Sequence, residues 1–262
     1  MGTSASSRGP GGGVPLVPDW VPPATDPPPQ QPPAAPLIAP PRRFQSTRTN
    51  LGAFGRTGDA TSLRRGLGHY SRSGLGGADT AARRMGGTAR TAGGLYGVLD
   101  ALSRGGAVPP DVALNPATLA GRSQREIADA VTDALRPIDG SQDTDAARDA
   151  MSRAFSELLD AEPAADLMAL STDQIERVVE AYIANDLTNR IDLDVGNAIL
   201  DKAPDAAAGV SRLEEMKAYV RQELARRFRA REAVGERMNR QSASALSSAV
   251  LRDTFEVFES YL

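Results

Sequence analysis

The N-terminal amine is the group of this chain best suited to chemistry. The sequence begins Met1-Gly2, and a residue as small as glycine at position 2 favours removal of the initiator methionine, which leaves a free α-amine on Gly2. Such an amine has a pKa of about 7.7–8.0, against about 10.4 for a lysine, so more of it is neutral and nucleophilic at neutral pH. Gly2 is therefore a candidate acceptor for a covalent modification. Residues 1–6 also fit the myristoylation pattern, and an unmodified terminus is the plain alternative.

A set of catalytic side chains cannot be assembled from the rest of the sequence. There is no cysteine and the only histidine is His69, so thiolate chemistry, histidine triads and histidine-rich metal sites are excluded. Acidic pairs such as Asp192 and Asp194 are typical of solvated helix faces, and this pair lacks the further ligands of a calcium loop. No phosphate-binding glycine fingerprint is present. We predict a protein that is not an enzyme and that holds neither a cofactor nor a metal.

Composition divides the chain into three parts. Residues 1–41 hold 13 of the 19 prolines and carry a net charge of −1, which indicates a flexible Gly/Pro-rich tail. Residues 42–105 carry +8, with arginine supplying all the positive charge, and residues 106–262 carry −10. Because Pro109-Pro110 marks a boundary, we predict a tail over 1–41, a basic Gly-rich helical region over 42–108 and an acidic helical domain over 109–262.

The tail contains the only tryptophan of the chain, Trp20. A tryptophan in a segment without a core of its own is either an anchor that docks on a partner or an incidental exposed aromatic. The sequence leaves both interpretations open.

Periodic apolar residues predict helices after the tail. Asp59 is a suitable N-cap for a helix over 60–70, and a second helix is predicted over 78–103. Glycines inside the second helix, such as Gly93 and Gly97, cost about 1 kcal/mol each relative to alanine. Glycines retained at that cost suggest that another backbone lies close by.

The helical signals are clearer beyond Pro110. Capping boxes begin at Ser123, Ser171 and Ser211, and further helices are predicted over 143–160 and 242–261. Alternating β-branched runs are missing from the sequence. We therefore predict an all-α protein in which a disordered Gly/Pro-rich tail precedes a glycine-punctuated helical segment and a multi-helix body.

Arginines in residues 42–105 allow a second interpretation, in which this region binds nucleic acid. Interleaved aromatic residues are few and no helix-turn-helix pattern is clear, so a surface complementary to an acidic protein explains the charge equally well. The residues concerned are Arg64, Arg65, Arg72, Arg83, Arg84 and Arg90. We find no secretory signal and no run of about 20 apolar residues. The expected location is the cytoplasm, without membrane contact.

Two blocks of sequence resemble a known family. The first is Met1-Gly-Thr-Ser-Ala-Ser-Ser7 with Gly9-Pro-Gly-Gly-Gly13 and Pro15-Leu-Val-Pro18. The second runs from Leu51 through Arg56-Thr-Gly58, Leu67-Gly-His-Tyr70 and Gly76-Gly77 to Thr80-Ala-Ala-Arg-Arg-Met-Gly86. Together they resemble QatB, the component of bacterial Qat anti-phage defence systems that has no recognised enzymatic fold.

The resemblance implies partners and a role. The implied partners are a QueC-like enzyme above all, and an ATPase and a TatD-like nuclease. QueC-like enzymes activate a deazaguanine carboxylate with ATP, and in defence systems of this type the acceptor is a protein N-terminal glycine, a position that Gly2 matches.

We therefore expect a substrate and adaptor that presents Gly2 to the QueC-like enzyme. The contrasting expectation is a nucleic-acid-binding or scaffolding adaptor that recruits the nuclease or ATPase through residues 42–105. In the first case, residues in the two blocks and Trp20 would contact partners. The glycines between positions 9 and 13 would give clearance in the entry channel of the QueC-like enzyme, and Trp20 would anchor the tail outside that channel. These residues are Thr3, Ser4, Gly11, Gly12, Gly13, Trp20, His69, Tyr70, Arg83 and Arg84.

Overall fold

The structure, a computed structural model, describes residues 13–17, 38–232 and 238–262. Within these ranges the chain is helical, and the one extended pairing is an isolated antiparallel bridge between Pro15 and Ile38. The prediction of an all-α protein is confirmed. The helices are α1 (Gln45–Thr57), α2 (Ala60–His69), α3 (Ala78–Arg84), α4 (Gly86–Ser103), α5 (Gln124–Leu135), α6 (Gln142–Ala161), α7 (Thr172–Ile191), α8 (Asn197–Leu200), α9 (Ala206–Glu232) and α10 (Arg240–Glu259).

Two short turns of wider π-helix continue these elements. Tyr70–Leu75 follows α2 directly, and Asp192–Gly196 joins α7 to α8. Each of the two turns carries one member of a part-buried hydrogen-bonded pair, Tyr70 and Asp194.

Several helices begin where the sequence predicts. Asp59 accepts a hydrogen bond from the backbone of Ser62 at 2.8 Å, which caps α2. At α5, Ser123 and Glu126 form the complete capping box, each side chain bonding to the backbone of the other residue. Ser171 and Gln174 form the same reciprocal pair before α7. Local sequence determines these boundaries because a cap needs only residues three positions apart.

Two predicted boundaries are wrong. The helix predicted over 78–103 is interrupted at Met85, where ψ is 14°, and resumes at Gly86. Gly86-Gly87 is a poor helix sequence, which explains why the break falls there. The capping box predicted at Ser211 does not form, because α9 begins at Ala206, where Asp205 accepts from the backbone of Ala208 at 2.8 Å.

The chain divides into two compact units. Unit 1 consists of residues 1–87, 190–220 and 248–262, and unit 2 consists of residues 88–189 and 221–247. The three-part division of the sequence into 1–41, 42–108 and 109–262 is based on composition and charge, and it stays a prediction about functional segments.

Unit 1 has its core where α1 packs against α2 and α8. Leu51, Phe54, Leu67 and Ile199, which come from these three helices, are fully buried. This core carries the two π-helical turns and therefore fixes the position of Tyr70 and Asp194.

Unit 2 contains the close backbone approach that the glycines of α4 predict. An added Cβ at Gly93 would lie 2.6 Å from the carbonyl oxygen of Arg240 and 2.8 Å from the Cβ of Ser244, at the start of α10. An added Cβ at Gly97 would meet the side chain of Arg240 at 3.2 Å. The two glycines, four residues apart on one face of α4, thus let α10 pack directly against its backbone.

Among the residues that the structure describes, no helix combines the length and the apolar character needed to cross a membrane.

Candidate functional site

The short segment Gly13 to Val17, here called the anchor segment, is fixed to unit 1 by backbone hydrogen bonds. The amide of Gly13 donates to the carbonyl of Ala39 at 2.8 Å, and the amide of Ala39 donates to the carbonyl of Val14 at 2.8 Å. Gly13 has a φ of +83°, which a residue with a side chain rarely adopts. Part of the region predicted as a tail therefore has a defined position.

Leu16 is the side chain that holds the anchor segment in place. It is 4 % exposed and packs against Gly76, which has a φ of +86°. An added Cβ at Gly76 would lie 2.5 Å from the Cδ1 of Leu16, so the leucine occupies the space that a side chain would need. Glycine is required at this position both for the backbone conformation and for the contact.

Arg84 holds the backbone at the same residue. Its Nη1 donates to the carbonyl oxygen of Leu16 at 2.5 Å. A guanidinium that donates to a carbonyl forms a charge-assisted hydrogen bond, which is stronger than one between neutral groups. The anchor segment is thus held at Leu16 in two ways. The side chain makes an apolar contact with Gly76, and the carbonyl oxygen accepts from the cation of Arg84.

A polar pair, made of the buried Tyr70 and the half-buried Asp194, lies close to Arg84. The hydroxyl of Tyr70 donates to Oδ2 of Asp194 at 2.9 Å, and the ring of Tyr70 stacks on Phe44 with 5.8 Å between centroids. Burial raises the pKa of Asp194 above its usual value, while the hydrogen bond from Tyr70 and the charge of Arg84 act against this. Burial, followed by the charge of Asp194, raises the pKa of Tyr70 well above its usual value. Tyr70 therefore keeps its hydroxyl proton at neutral pH and donates it in the hydrogen bond to Asp194.

Arg43 adds a second cation to this cluster. Its side chain is 4 % exposed, and none of its three guanidinium nitrogens has a hydrogen-bond partner among the described residues. The guanidinium lies over the ring of Phe44 at 4.9 Å from the centroid, a favourable cation–π arrangement. Burial and then the charge of Arg84 lower the pKa of Arg43, and Asp194 opposes this. The charge of Arg190 also lowers the pKa of Asp194, so three guanidinium groups act on this one carboxylate.

The structure brings together some of the predicted partner-contact residues and not others. Gly13 is part of the anchor segment, and Arg84 donates a hydrogen bond to it. Tyr70 belongs to the polar pair with Asp194. His69 is half-buried, and its Nδ1 is buried without a partner among the described residues. Arg83 is exposed. Partner contact by any of them stays a prediction.

The remaining predicted site residues lie outside the described residues. They are Gly2, Thr3, Ser4, Gly11, Gly12 and Trp20.

Sequence reasoning missed three residues of this site. Asp194, interpreted as part of a solvated acidic pair, is the acceptor for Tyr70, and its neighbour Asp192 pairs with Lys217 at 2.9 Å. Arg43 and Leu16 carry no local signal of burial, because the residues that enclose them are distant in sequence. The Pro15-Leu-Val-Pro18 block was the only available indication for Leu16.

The arrangement fixes a stretch of backbone and brings no acid–base or nucleophilic set to it. Within the described ranges, no group of three or more acidic or histidine side chains is placed to hold a metal ion. The contacts at Leu16 therefore hold the backbone of the anchor segment against Gly76 and Arg84.

Comparison with known proteins identifies a family. The family model described as "Qat anti-phage system associated protein QatB" matches residues 76–258. No curated protein and no solved structure matches the chain. The matched range covers more than half of the chain and includes Gly76, Arg84, Asp194 and the body helices, so the chain belongs to the QatB family of Qat anti-phage system associated proteins.

Proposed function

We propose that this chain is the protein substrate and adaptor of its Qat system, and that it presents the Gly2 amine to a QueC-like enzyme for conjugation to a deazaguanine. Membership in the QatB family supports a role in anti-phage defence. The observation that supports the finer proposal is the anchor segment, because a substrate whose reactive group is its N-terminus needs a defined point from which that terminus extends.

The proposed reaction joins an amine to an activated carboxyl group. The neutral α-amine of Gly2 attacks the carboxyl carbon that the enzyme has activated with ATP. An amide C–N bond forms, the bond to the ATP-derived leaving group breaks, and the nitrogen loses a proton. The usual pKa of an α-amine, about 7.7–8.0, gives the amine an appreciable neutral fraction at neutral pH.

The anchor segment limits how far the amine can travel while the segment stays bound. Gly2 lies eleven positions before Gly13. A fully extended chain of that length spans at most about 40 Å. The active site of the enzyme would therefore have to open within that distance of Gly13, whose amide is bonded to Ala39.

The test is intact-mass spectrometry of the chain co-expressed with its QueC-like partner, followed by sequencing of the N-terminal peptide. We expect a mass increase confined to that peptide, and its loss when the ATP site of the enzyme is inactivated. An unmodified N-terminal peptide in the presence of a folded, active enzyme that co-purifies with the chain would rule out the substrate role.

A nucleic-acid-binding adaptor is the second candidate, and the exposure of the arginines in unit 1 favours it. Arg64, Arg65, Arg72 and Arg83 are all exposed. If this surface binds nucleic acid, replacing Arg65, Arg72 and Arg83 with glutamine should weaken binding and reduce its salt dependence. Replacing the exposed Arg122 and Arg125 of unit 2 is the matched control. Arg84 is left intact because it holds Leu16.

A further inference from the structure

The anchor segment is attached to unit 1 mainly through one side chain. Of its five residues only Leu16 is buried, while Gly13 and Val14 are exposed and the other two are half-buried. Two backbone hydrogen bonds join the segment to Ala39, and a third hydrogen bond comes from the side chain of Arg84. Ordering five residues costs conformational entropy, which this set of contacts offsets only narrowly. The bound and released states of the segment are therefore close in free energy.

The surface that Leu16 covers has hydrogen bonds of its own that do not involve the anchor segment. This surface, here called the Leu16 groove, is defined by Ala39, Gly76 and Arg84. The turn at Gly76 is fixed because the amides of Gly76 and Gly77 both donate to the carbonyl of Ser71. Arg84 is the last residue of α3. Release of the anchor segment therefore leaves the groove in place.

Release of the anchor segment also does not leave Arg84 as an isolated cation. In the closed state its Nη1 donates to the carbonyl oxygen of Leu16. Its charge also acts on a carboxylate: burial raises the pKa of Asp194, and the charge of Arg84 opposes that rise. Because a guanidinium has five N–H donors, Arg84 retains an oppositely charged neighbour when the carbonyl leaves. The contact with Leu16 is therefore one that the protein can give up without unfolding.

We propose that the Leu16 groove is a peptide-binding site and that the anchor segment is a latch, which occupies the groove reversibly while the rest of unit 1 stays folded. The groove recognises three features of an extended segment. A leucine side chain fills the space beside Gly76, the carbonyl of that leucine accepts from Arg84, and the carbonyl two residues earlier accepts from the amide of Ala39. The occupant is the chain's own segment of residues 13–17.

The latch gives the N-terminus two points of attachment. Gly2 lies eleven positions before Gly13 and thirty-seven positions before Ala39. A fully extended chain therefore spans at most about 40 Å from the closed latch and at most about 130 Å from the open one. This consequence rests on the proposed conjugation of Gly2, whereas the latch itself does not.

Native-state hydrogen exchange of the full chain tests the latch without any substitution. The amide of Ala39 reports on the closed state, because it donates to the carbonyl of Val14 there. We expect protection of about 10- to 100-fold at this amide, against about 10⁴-fold or more at the amide of Leu67 in the core of unit 1. Equal protection at the two amides would show that the segment opens only when the whole unit unfolds, and would overturn the proposal.

A peptide added in trans tests the groove. Leu16→Asp in the full chain empties the groove, and the probe is acetyl-Gly-Val-Pro-Leu-Val-Pro-amide, which copies residues 13–18. The control peptide has aspartate in place of the leucine. A latch closed about 10- to 100-fold, at an effective concentration of about 1 mM, corresponds to a Kd of about 10–100 µM for the free peptide.

We expect the probe to bind the Leu16→Asp variant in this range and to restore the protection of the Ala39 amide. The control peptide should bind at least about tenfold more weakly, because it lacks the apolar side chain. The wild-type chain should bind the probe about 10- to 100-fold more weakly than the variant does, because its own segment competes for the groove.

Three results of the peptide experiment would also overturn the proposal. The first is no binding of the probe to the variant at about ten times the highest expected Kd. The second is equal affinity of the wild type and the variant, or of the two peptides, which would mean that the probe binds elsewhere. The third is a Leu16→Asp variant that does not fold, which would mean that unit 1 needs this leucine as part of its core. The QueC-like enzyme takes no part in these measurements, so the latch and the conjugation of Gly2 fail or succeed independently.

Discussion

At the scale of single residues, the site depends on charged groups withdrawn from the surface: Arg43 is buried, and Arg84 and Asp194 are half-buried. The charges of Arg84, Arg43 and Arg190 act on one carboxylate, Asp194, which accepts a hydrogen bond from the hydroxyl of Tyr70. Removing one member of such a set leaves another buried group without a partner, which costs more than the bond itself contributes. The residue whose loss is most informative is Tyr70, because the hydrogen bond described for its hydroxyl is the one to Asp194.

We expect Tyr70→Phe to lower the free energy of unfolding by about 1–3 kcal/mol. The variant also removes the hydrogen bond that lowers the pKa of Asp194, so this pKa, already raised by burial, should rise further. A carboxyl whose folded pKa is raised loses stability as pH increases through that pKa. The destabilisation should therefore be small below the unfolded pKa of about 3.9 and grow toward neutral pH.

Chemical denaturation of the variant and the wild type at a series of pH values checks this prediction. Tyr219→Phe is the control, because its hydroxyl pairs with the hydroxyl of Tyr261 and no carboxylate depends on it. A loss in Tyr70→Phe that does not change with pH would contradict the assigned role of Asp194.

At the scale of elements, glycines decide where two backbones come together. The surroundings of the glycines differ. An added Cβ would collide with Leu16 at Gly76 and with the start of α10 at Gly93, whereas at Gly87 it would have no neighbour within 4 Å. The consequences of adding one methyl group should differ accordingly.

Gly76→Ala should release the anchor segment. Alanine at a φ of +86° is strained by about 1–2 kcal/mol, and its methyl group would also collide with Leu16. Gly58→Ala carries similar strain in the same left-handed region, at a φ of +72°, but its methyl group would meet the side chain of Arg212 at 3.5 Å, an ordinary contact, so it separates the two effects. Hydrogen exchange at the amide of Ala39, which donates to Val14, should accelerate in Gly76→Ala and much less in Gly58→Ala. Equal acceleration in both variants would mean that the contact with Leu16 does not hold the segment.

Gly93→Ala should destabilise unit 2, because its Cβ would lie 2.6 Å from a carbonyl oxygen that belongs to a packed helix. Overpacking of this kind costs about 1–3 kcal/mol. Gly87→Ala lies in the same helix with open space around it, and should be neutral or stabilising by up to about 1 kcal/mol. Thermal unfolding of the two variants compares their stability with that of the wild type. A similar loss of stability in both variants would show that packing against α10 does not determine the effect of alanine at position 93.

At the scale of the whole molecule, the anchor segment divides the N-terminal region of the sequence into residues 1–12 and residues 18–37. If the conjugation proposal holds, residues 1–12 set the reach of the Gly2 amine, and residues 18–37 lie on the other side of the fixed point. The length of the first part should matter to the reaction, and the length of the second should not.

Deleting residues 8–11 shortens the reach of Gly2 by about 14 Å. We expect conjugation by the QueC-like enzyme to fall on the order of 100-fold, because misplacement of a reacting group strongly reduces the rate. Deleting residues 28–31, the same number from the other side of the anchor segment, should leave the rate unchanged. The measurement is the rate at which the modified N-terminal peptide appears in a reaction with purified enzyme. Equal rates for the two deletions would show that the anchor segment does not set the reach.

Local information was sufficient for the class of fold and for much of its detail. The caps at Asp59, Ser123 and Ser171 were predictable because a cap and its partner are three residues apart. The close approach at Gly93 was predictable because a glycine inside a helix has a cost that only packing explains. At Ser211 the local signal was misleading, because Asp205, six residues earlier, caps the helix instead.

The sequence by itself therefore determined an all-α protein, most of its helix boundaries and the glycines that its packing requires. Only the tertiary structure decided that Leu16 is buried against Gly76, that Tyr70 bonds to Asp194, 124 positions away, and that the anchor segment belongs to unit 1. The physical reason is that helix formation is governed by neighbours along the chain. The burial of a given side chain depends on which distant elements enclose it, and no periodicity in the sequence records that choice.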